Sequence, residues 1–384
     1  MAARSNEPSD SAMTTPSPSN IVQTRFKDAF AGTPRLFRAP GRINIIGEHV
    51  DYAGGKVMPA AIDFACWVAA RPNGQNRLRV ISDLGDGELP LDMFERHGDW
   101  RDYVAGMAFA LRDAGHPVVG HDLAIASDVP MGAGVSSSAA LEVAVGLALT
   151  GGAVTGKQLA VVAQAAENHY VGMACGIMDQ FASACGVEGH ALVLDCSSLH
   201  ARPIAMPDTA CFLIVDSGVK HRHTSGGYAS RRADCETAAK ALGVSLLAEI
   251  ASVDALAGLS GNPLKRARHV VSEIARTSAA EQALATSDLA HLGQLLNQSH
   301  ASLSSDMEVS TPEVDRLTAI AQATPGVYGA RMMGGGFGGS IIALAAPSAA
   351  EAALDAILTT YAQDLGHRPG AFVVRAAAGA GEVL

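Results

Sequence analysis

The sequence predicts a mixed α+β protein of two domains. The chain has 384 residues and 48% of them are hydrophobic, which is enough length and apolar content for two cores. Short strand-like runs rich in Ile, Val and Ala alternate with longer Ala- and Leu-rich runs that favour helices. A polar stretch near residues 200–207 separates two groups of such runs. We therefore predict an N-terminal domain over residues 21–205 and a C-terminal domain over residues 206–384.

The first twenty residues have the composition of a disordered tail. Residues 1–20 are rich in Ser, Thr, Pro and Asn, and they contain almost no large apolar side chain that could join a core. The stretch that follows, Ile21–Phe30, has the spacing of a short amphipathic helix and is followed by Gly32 and Pro34. The folded part of the chain is therefore expected to begin near residue 21.

Charge and composition argue against several classes of partner. A net charge of −10 disfavours nucleic acid, which would attract a basic surface. No run of about 18 apolar residues indicates a membrane span, and the amino terminus lacks the apolar region of a secretory signal. The six cysteines form no C-x-x-C pair. We expect a cytoplasmic protein with free thiols. The sequence sets no oligomeric state, and a monomer is compatible with it.

The stretch Asp128–Leu141 has the pattern of a phosphate-binding loop. A half-buried strand over His121–Ser127 leads into it, and Gly132 and Gly134 permit a tight turn. Three serines, Ser136–Ser138, then fall in the first turn of a predicted helix. The unpaired N–H groups and the positive dipole end of a helix start favour an oxyanion there. The alternative is a helix that the serines simply cap.

The stretch Arg35–Asp63 contains a dense polar loop between strand-like pieces. Glu48, His49 and Asp51 follow directly after apolar residues. Loops on a strand scaffold are common ligand sites. Carboxylates accept paired hydrogen bonds from vicinal hydroxyls, so the loop suits a sugar. The same side chains also allow a metal site, although no second His or Cys cluster lies nearby in the sequence.

A further carboxylate, Asp179, lies among apolar residues after a helical run. That run, Lys157–Met173, carries Glu167 near its end. Desolvation and neighbouring charges tune the pKa of such an Asp, which makes it a candidate acid or base. The alternative is an Asp that caps the next helix.

Three aromatic or glycine-rich features complete the pattern. Trp100 opens a predicted helix that Asp99 is expected to cap, and this Trp is either a core aromatic or a stacking partner for a base. Tyr228 has Gly on one side and a cationic helix start on the other, which suggests a functional loop. The run Val327–Pro347 contains G-x-G-x-x-G but continues as a strand, whereas a dinucleotide site requires a helix. It therefore predicts a β-hairpin.

Taken together, these stretches resemble the GHMP small-molecule kinases. Arg38–Asp63, Pro130–Glu142 and Met332–Ser340 occur in the order and spacing of the three motifs of that family. Within the first motif, Gly41–Tyr52 closely resembles the galactokinase signature. Further matches are Cys175–Gln180, the pattern Tyr228, Arg231, Arg232, Cys235 and Glu236, and Ser299–Ser302.

The resemblance implies a fold, a reaction and its site residues. It implies a two-domain α+β GHMP kinase fold with the active site in the interdomain cleft. The implied reaction is phosphorylation of the anomeric hydroxyl of α-D-galactose by ATP and Mg²⁺, the first step of galactose catabolism by the Leloir pathway. Asp179 matches the catalytic aspartate and Arg42 its partner. The sugar-binding positions are Glu48, His49, Asp51, Gly176 and Tyr228.

The resemblance also implies where the nucleotide and the metal bind. The nucleotide-binding positions are Trp100, Pro130, Gly132, Ala133, Gly134, Val135, Ser136, Ser137 and Ser138. Within the serine run, Ser137 is favoured near Mg²⁺, together with Glu167.

Two other functions remain open from the sequence. One is a related sugar 1-kinase, acting on N-acetylgalactosamine for instance, because Val50, Ala53 and Gly227 depart from the usual pattern. The other is a non-catalytic regulator that binds galactose and ATP. Fungal galactose sensors share this fold but have a shortened Ser-Ala stretch, whereas Ser136–Ala140 is intact here, which favours catalysis.

Overall fold

The computed structural model describes residues 17–93, 95–219 and 224–383. Most of the predicted tail, residues 1–20, lies outside these ranges. Its end is helical, because the first helix spans Pro18–Ala29. Pro18 fits the first turn, where no amide donor is needed, and the Ser17 hydroxyl accepts a hydrogen bond from the Asn20 N–H. The first helix therefore begins three residues before the predicted start at residue 21.

The described residues form the following elements, numbered in chain order. The strands are β1 (Arg35–Asn44), β2 (Lys56–Val57), β3 (Pro59–Pro72), β4 (Arg77–Ser82), β5 (Gly85–Pro90), β6 (His121–Ser127), β7 (His190–Asp195), β8 (His200–Ala205), β9 (Cys211–Asp216), β10 (Val327–Met333), β11 (Ser340–Ala345), β12 (Ala371–Val374) and β13 (Gly381–Val383). The α-helices are α1 (Pro18–Ala29), α2 (Arg101–Asp113), α3 (Ser137–Thr150), α4 (Gly156–Ala165), α5 (Met178–Cys185), α6 (Thr224–Leu242), α7 (Gly261–Ala285), α8 (Leu289–Ser305), α9 (Pro312–Ala323) and α10 (Ala350–Leu365).

The N-terminal half is built on a six-stranded sheet in the order β13-β1-β3-β6-β4-β5. Its neighbours pair antiparallel except β4 and β6, which are parallel. Helix α1 covers one face through Val22 and Phe26, which are fully buried. Helices α3 and α5 contact β1 and β3 on the other side. Because α3 is apolar around nearly its whole circumference, it lies inside the core and holds its N-terminus in a fixed place.

The C-terminal half contains a four-stranded sheet in the order β10-β11-β9-β12, with α8 and α9 against β10. As predicted, the glycine-rich run forms a hairpin, in which Met333 pairs with Ser340. A third, three-stranded sheet has the order β2-β7-β8.

The end of the chain returns to the N-terminal sheet. Strand β13 pairs antiparallel with β1, so that Leu36 faces Val383 and Arg38 faces Gly381. The Arg35 guanidinium also forms a hydrogen-bonded ion pair with Glu382. The predicted division at residue 206 therefore does not describe residues 381–383, because these pair with a strand of the N-terminal half.

Two properties of the whole described chain bear on its environment. None of its helices combines the length and the apolar character that crossing a membrane would require. All six cysteines lie within the described ranges and are free thiols.

Candidate active site

A cavity of about 390 Å³ lies where β1, α5 and the glycine-rich hairpin meet. Most of the residues that line it come from the motifs singled out in the sequence, although they are spread over nearly 300 residues of chain. Among them are Arg42, Glu48, His49, Asp51, Ser138, Glu167, Gly176, Asp179, Tyr228, Gly334, Gly335 and Gly336. The fold therefore brings the proposed sugar-binding and catalytic positions and Glu167 to one place, whereas Ser137, the serine favoured near Mg²⁺, does not line this cavity.

Arg42 and Asp179 form a bidentate ion pair at this cavity. The Arg42 Nε donates to Asp179 Oδ1 at 2.8 Å, and its Nη2 donates to Oδ2 at 2.7 Å. The Ser136 hydroxyl donates to the same Oδ2. Asp179 is the second residue of α5 and its side chain is 29% exposed, so the carboxylate is held on one side and open on the other. This geometry favours the acid–base interpretation of Asp179 over the helix-cap alternative.

The glycine- and serine-rich loop before α3 packs directly against β1. The Arg42 N–H donates to Val135 O at 3.0 Å, and Arg42 Nη1 donates to Gly134 O at 2.5 Å. A Cβ on Gly41 would lie 2.6 Å from Val135 O, so only glycine allows this approach. The loop and the Asp179 carboxylate are therefore held by the same arginine.

The loop itself ends in an unusual backbone conformation. Gly132, Gly134 and Ser136 all have positive φ, of 78°, 71° and 60° respectively. A left-handed serine is strained, and such strain concentrates at functional sites. Helix α3 begins at Ser137, so the serine run lies at a helix start as predicted. Ala133 and Val135 are buried and Pro130 is half-buried, whereas Met131 is exposed and the three serines are half-buried.

A second cavity, of about 660 Å³, lies on the other side of the serine run. Trp100, Tyr103, Met131 and Ser137 line it, and Ser138 lines both cavities. Trp100 is half-buried and directly precedes α2. The N-cap position is Trp100 itself, which makes no side-chain capping hydrogen bond, and the expected cap Asp99 lies one residue earlier, where it accepts the Arg101 N–H at 2.9 Å. The two cavities therefore meet at the start of α3.

The polar loop after β1 is anchored by a buried ion pair. Glu48 Oε2 accepts a hydrogen bond from Arg331 Nη1 at 2.8 Å, and the two side chains are 4% and 0% exposed. Arg331 Nε also donates to Ile45 O at 2.9 Å. Sequence reasoning missed Arg331, although a lone arginine within an apolar strand is a signal that a buried anion lies opposite.

His49 has a definite protonation state and tautomer. Its Nε2 lies 3.2 Å from Gly335 O, which can only accept, so Nε2 carries the proton. Nδ1 then accepts from the Tyr52 hydroxyl at 3.0 Å. Burial, and next the charge of His269, lower the pKa of His49 to about 3, so the ring is neutral at physiological pH. The alternative metal site at this loop is not supported, since Glu48 and His49 bind Arg331 and Gly335 instead.

Asp51 lies close against the backbone of the Asp179 motif. A Cβ on Gly176 would lie 1.7 Å from Asp51 Oδ2, so the carboxylate occupies the space that any side chain would need. Burial, and next the charge of Asp179, raise the pKa of Asp51 to about 6. The close contact explains why a glycine is needed at position 176. The raised pKa makes the charge of Asp51 sensitive to pH in the neutral range.

Aromatic rings form one wall of the cavity. The Tyr228 ring centroid lies 5.3 Å from that of His49 and 5.4 Å from that of Tyr52. Gly227, where the sequence departs from the usual pattern, lies under Phe337, and a Cβ there would be 2.5 Å from that ring. The Phe337 ring therefore fills the space that a side chain at position 227 would occupy.

Glu167 lies in a one-turn π-helix, Ala166–Val171, which turns its carboxylate toward the cavity. Ser138 and Gln180 both donate hydrogen bonds to it, as does Cys175 Sγ at 3.3 Å. Burial, and next the charge of Asp179, raise the pKa of Glu167 to about 6. Within the described residues, no three His, Cys, Asp or Glu side chains converge as a metal site. Glu167 and Ser138 nevertheless supply the hard oxygen donors that suit Mg²⁺, which is commonly held by one or two carboxylates and substrate phosphates.

Comparison with known proteins agrees with this geometry. Models of the "GHMP kinases N terminal domain" and "GHMP kinases C terminal" families match residues 102–187 and 280–363. A model of the "Galactokinase galactose-binding signature" matches residues 24–72. The galactokinase of Chloroflexus aurantiacus is 45% identical, over 94% of this chain and 96% of its own. That of a Roseiflexus species is 42% identical, over 94% and 97%.

A solved structure also matches nearly the whole chain. The crystal structure of Lactococcus lactis galactokinase complexed with galactose is 34% identical and superposes with a TM-score of 0.90, covering 95% of this chain and 99% of that one. The fold, the two-part cavity and the three motifs define a GHMP kinase. Within that class, identity above 40% over nearly the whole chain is decisive. The chain belongs to the galactokinase family.

Proposed function

We propose that this chain transfers the γ-phosphoryl group of ATP to the anomeric hydroxyl of α-D-galactose, producing galactose 1-phosphate and ADP, the first step of galactose catabolism. The observation that carries the proposal is the Arg42–Asp179 ion pair, which lies between an acidic, aromatic cavity and the start of α3. Phosphoryl transfer depends mainly on alignment and charge neutralisation, and this pair supplies a proton acceptor and a cation at one point.

Asp179 accepts the proton of the attacking hydroxyl in this mechanism. The sugar oxygen forms a bond to the γ-phosphorus while the bond from that phosphorus to the β–γ bridging oxygen breaks, and ADP leaves with that electron pair. Arg42 stabilises negative charge on the transferring group. It also holds Asp179 in line, because two of its nitrogens bind the carboxylate and a third binds Gly134 O. A loose transition state needs little base strength, so orientation is the main contribution of Asp179.

The sugar is bound by the loop that follows β1 and by the facing helices. Glu48 and Asp51 accept hydrogen bonds from galactose hydroxyls, and the rings of His49 and Tyr228, inclined at 41° to each other, form an aromatic wall beside the sugar. Gly176 contributes by leaving room for Asp51. The support for these roles is that all five positions line one cavity.

The nucleotide lies across the serine run. Backbone amides from Gly132 to Ser138 bind the phosphates, and Trp100 stacks on the base in the second cavity. Mg²⁺, when bound, neutralises phosphate charge, and Glu167 with a serine hydroxyl would hold it. Ser138 is the stronger candidate, because it donates to Glu167 while Ser137 lines the cavity of Trp100. Six free thiols fit a reducing, cytoplasmic compartment.

A sugar panel tests this function. ADP release with ATP, Mg²⁺ and galactose, N-acetylgalactosamine, arabinose or glucose should give the highest kcat/KM for galactose, and an Asp179→Asn variant controls for background hydrolysis. Equal turnover across the panel, or a preference for N-acetylgalactosamine, would refute the substrate. Galactose binding without any ADP release would instead identify a regulator.

A further inference from the structure

Helix α3 carries a buried carboxylate that the mechanism above does not use. Glu142 is fully buried, with 0% of its surface exposed. It lies four residues after Ser138, so the two side chains point to the same side of the helix. A buried carboxylate is costly unless it makes specific hydrogen bonds, and it therefore calls for a role.

One amide group links Glu142 to the candidate metal site. Gln180 Nε2 donates to Glu142 Oε2 at 3.1 Å and also to Glu167 Oε2. An amide nitrogen has two hydrogens, so each carboxylate receives one of them. Gln180 directly follows Asp179, and Glu167 is the residue that Ser138 contacts. The chain of contacts thus runs from inside α3, through Gln180, to the edge of the cavity.

The bonds to Glu142 and Glu167 together fix the direction of the amide, and the bond to Glu142 is the one on the side away from the cavity. Within the described residues, Gln180 Oε1 and Glu142 Oε1 are buried and have no hydrogen-bond partner. No contact of its oxygen therefore fixes the amide, and only its Nε2 is held. Without Glu142, only Glu167 of the two carboxylates holds the amide, so Nε2 is free to turn away, and the Glu167 carboxylate loses a donor that fixes its direction.

We propose that Glu142 is a positioning residue for the magnesium–nucleotide complex, because it aims the Gln180 amide so that Glu167 faces Ser138 and the cavity. This inference rests on the proposed role of Glu167 in holding Mg²⁺. Partners behind a metal ligand typically change metal affinity by about 10–100-fold when they are removed. The effect is expected on the nucleotide side only, since galactose is bound by other residues.

The test compares a variant that breaks the contact with one that keeps it. Glu142→Leu removes the acceptor, whereas Glu142→Gln keeps an oxygen that can accept from Gln180. Burial, and next the charge of Glu167, raise the pKa of Glu142 well above its ordinary value, so a neutral amide is a close substitute. Asp122→Asn serves as a matched control, because Asp122 is a buried carboxylate paired with Arg79 elsewhere in the N-terminal sheet.

Calorimetry measures binding of a non-hydrolysable ATP analogue to each full-length protein with and without Mg²⁺, and binding of galactose separately. Glu142→Leu should reduce the gain in affinity that Mg²⁺ provides by about tenfold or more. Glu142→Gln and Asp122→Asn should keep that gain, and all should bind galactose as the parent does. If Glu142→Leu does not fold, Gln180→Met interrupts the same chain of contacts and should show the same loss.

A Glu167→Ala variant separates the two hypotheses. If Glu167→Ala abolishes the Mg²⁺-dependent gain and Glu142→Leu does not reduce it, the positioning role is wrong and the metal site stands. If Glu167→Ala keeps the gain, the proposed metal site itself is wrong. A Glu142→Leu protein that loses galactose affinity as well has suffered general damage, and this result also overturns the positioning role.

Discussion

Replacing Arg331 by Met should destabilise the protein strongly and weaken sugar binding. Arg331 has 0% side-chain exposure and donates to Glu48, to Ile45 O and to Asn44 O, so it joins the β10 strand to the loop that follows β1. Met has a similar length but cannot donate. The Glu48 carboxylate, 4% exposed, would then be buried without a cation.

The magnitude follows from this burial. Removing one partner of a buried ion pair destabilises a protein by about 3–5 kcal/mol, chiefly because the remaining charge is uncompensated. For domains of a few hundred residues, each kcal/mol lowers Tm by roughly 2–4 °C, which gives a fall of about 6–20 °C. Solvent screening does not reduce this figure, since neither side chain is accessible.

Thermal unfolding and galactose titration of Arg331→Met measure both effects. The double variant Glu48→Gln with Arg331→Met removes the orphaned charge as well. It should therefore be more stable than Arg331→Met alone by at least about 1 kcal/mol. A stabilising role for the buried Arg331–Glu48 pair is refuted if Arg331→Met lowers the free energy of unfolding by less than about 1 kcal/mol. It is refuted equally if the double variant is the less stable of the two.

Three further predictions concern the cavity. Asp179→Asn should lower kcat by about 10²–10⁴-fold while galactose affinity and circular dichroism stay near the parent values, and a kcat within tenfold would remove Asp179 from the chemistry. The pKa of Asp51 is raised to about 6, so galactose affinity should be flat above pH 7 and should fall as Asp51 becomes protonated below pH 6. This pH dependence of galactose affinity should vanish in Asp51→Asn, and if it stays as in the parent protein, another group causes it. Trp100→Ala should raise KM for ATP fivefold or more, since stacking on a base contributes about 1–3 kcal/mol, and an unchanged KM would place the base away from Trp100.

Local patterns in the sequence were sufficient to predict the loops of the site. The glycine and serine runs predicted the turn and helix start at Ser136–Ser138, because these residue types have strong local preferences. The same is true of the glycine-rich hairpin, which was predicted from the strand that follows the glycines. Such features depend on neighbours in the chain, and the sequence shows those directly.

Contacts between distant segments could not be predicted in this way. Arg331 meets Glu48 across 283 residues of chain, and the Asp51 carboxylate occupies the space beside Gly176. Neither pairing leaves a period or a spacing in the sequence, since each depends on how the two halves pack. The pairing of β13 with β1 was missed for the same reason, because a three-residue strand is too short to show alternation.

The arrangement of β1 explains how one fold aligns two substrates. At its end, Arg42 holds Val135, Gly134 and Asp179, and two residues further on Arg331 holds the backbone of Asn44. The loop before α3, the Asp179 carboxylate and the start of the loop after β1 are thus attached to neighbouring positions of a single strand. Because a misplacement of about 1 Å can reduce the rate a hundredfold, such a strand must be rigid. Pairing with β3 on one side, and with β13 at Leu36–Arg38 on the other, holds that strand in the N-terminal sheet.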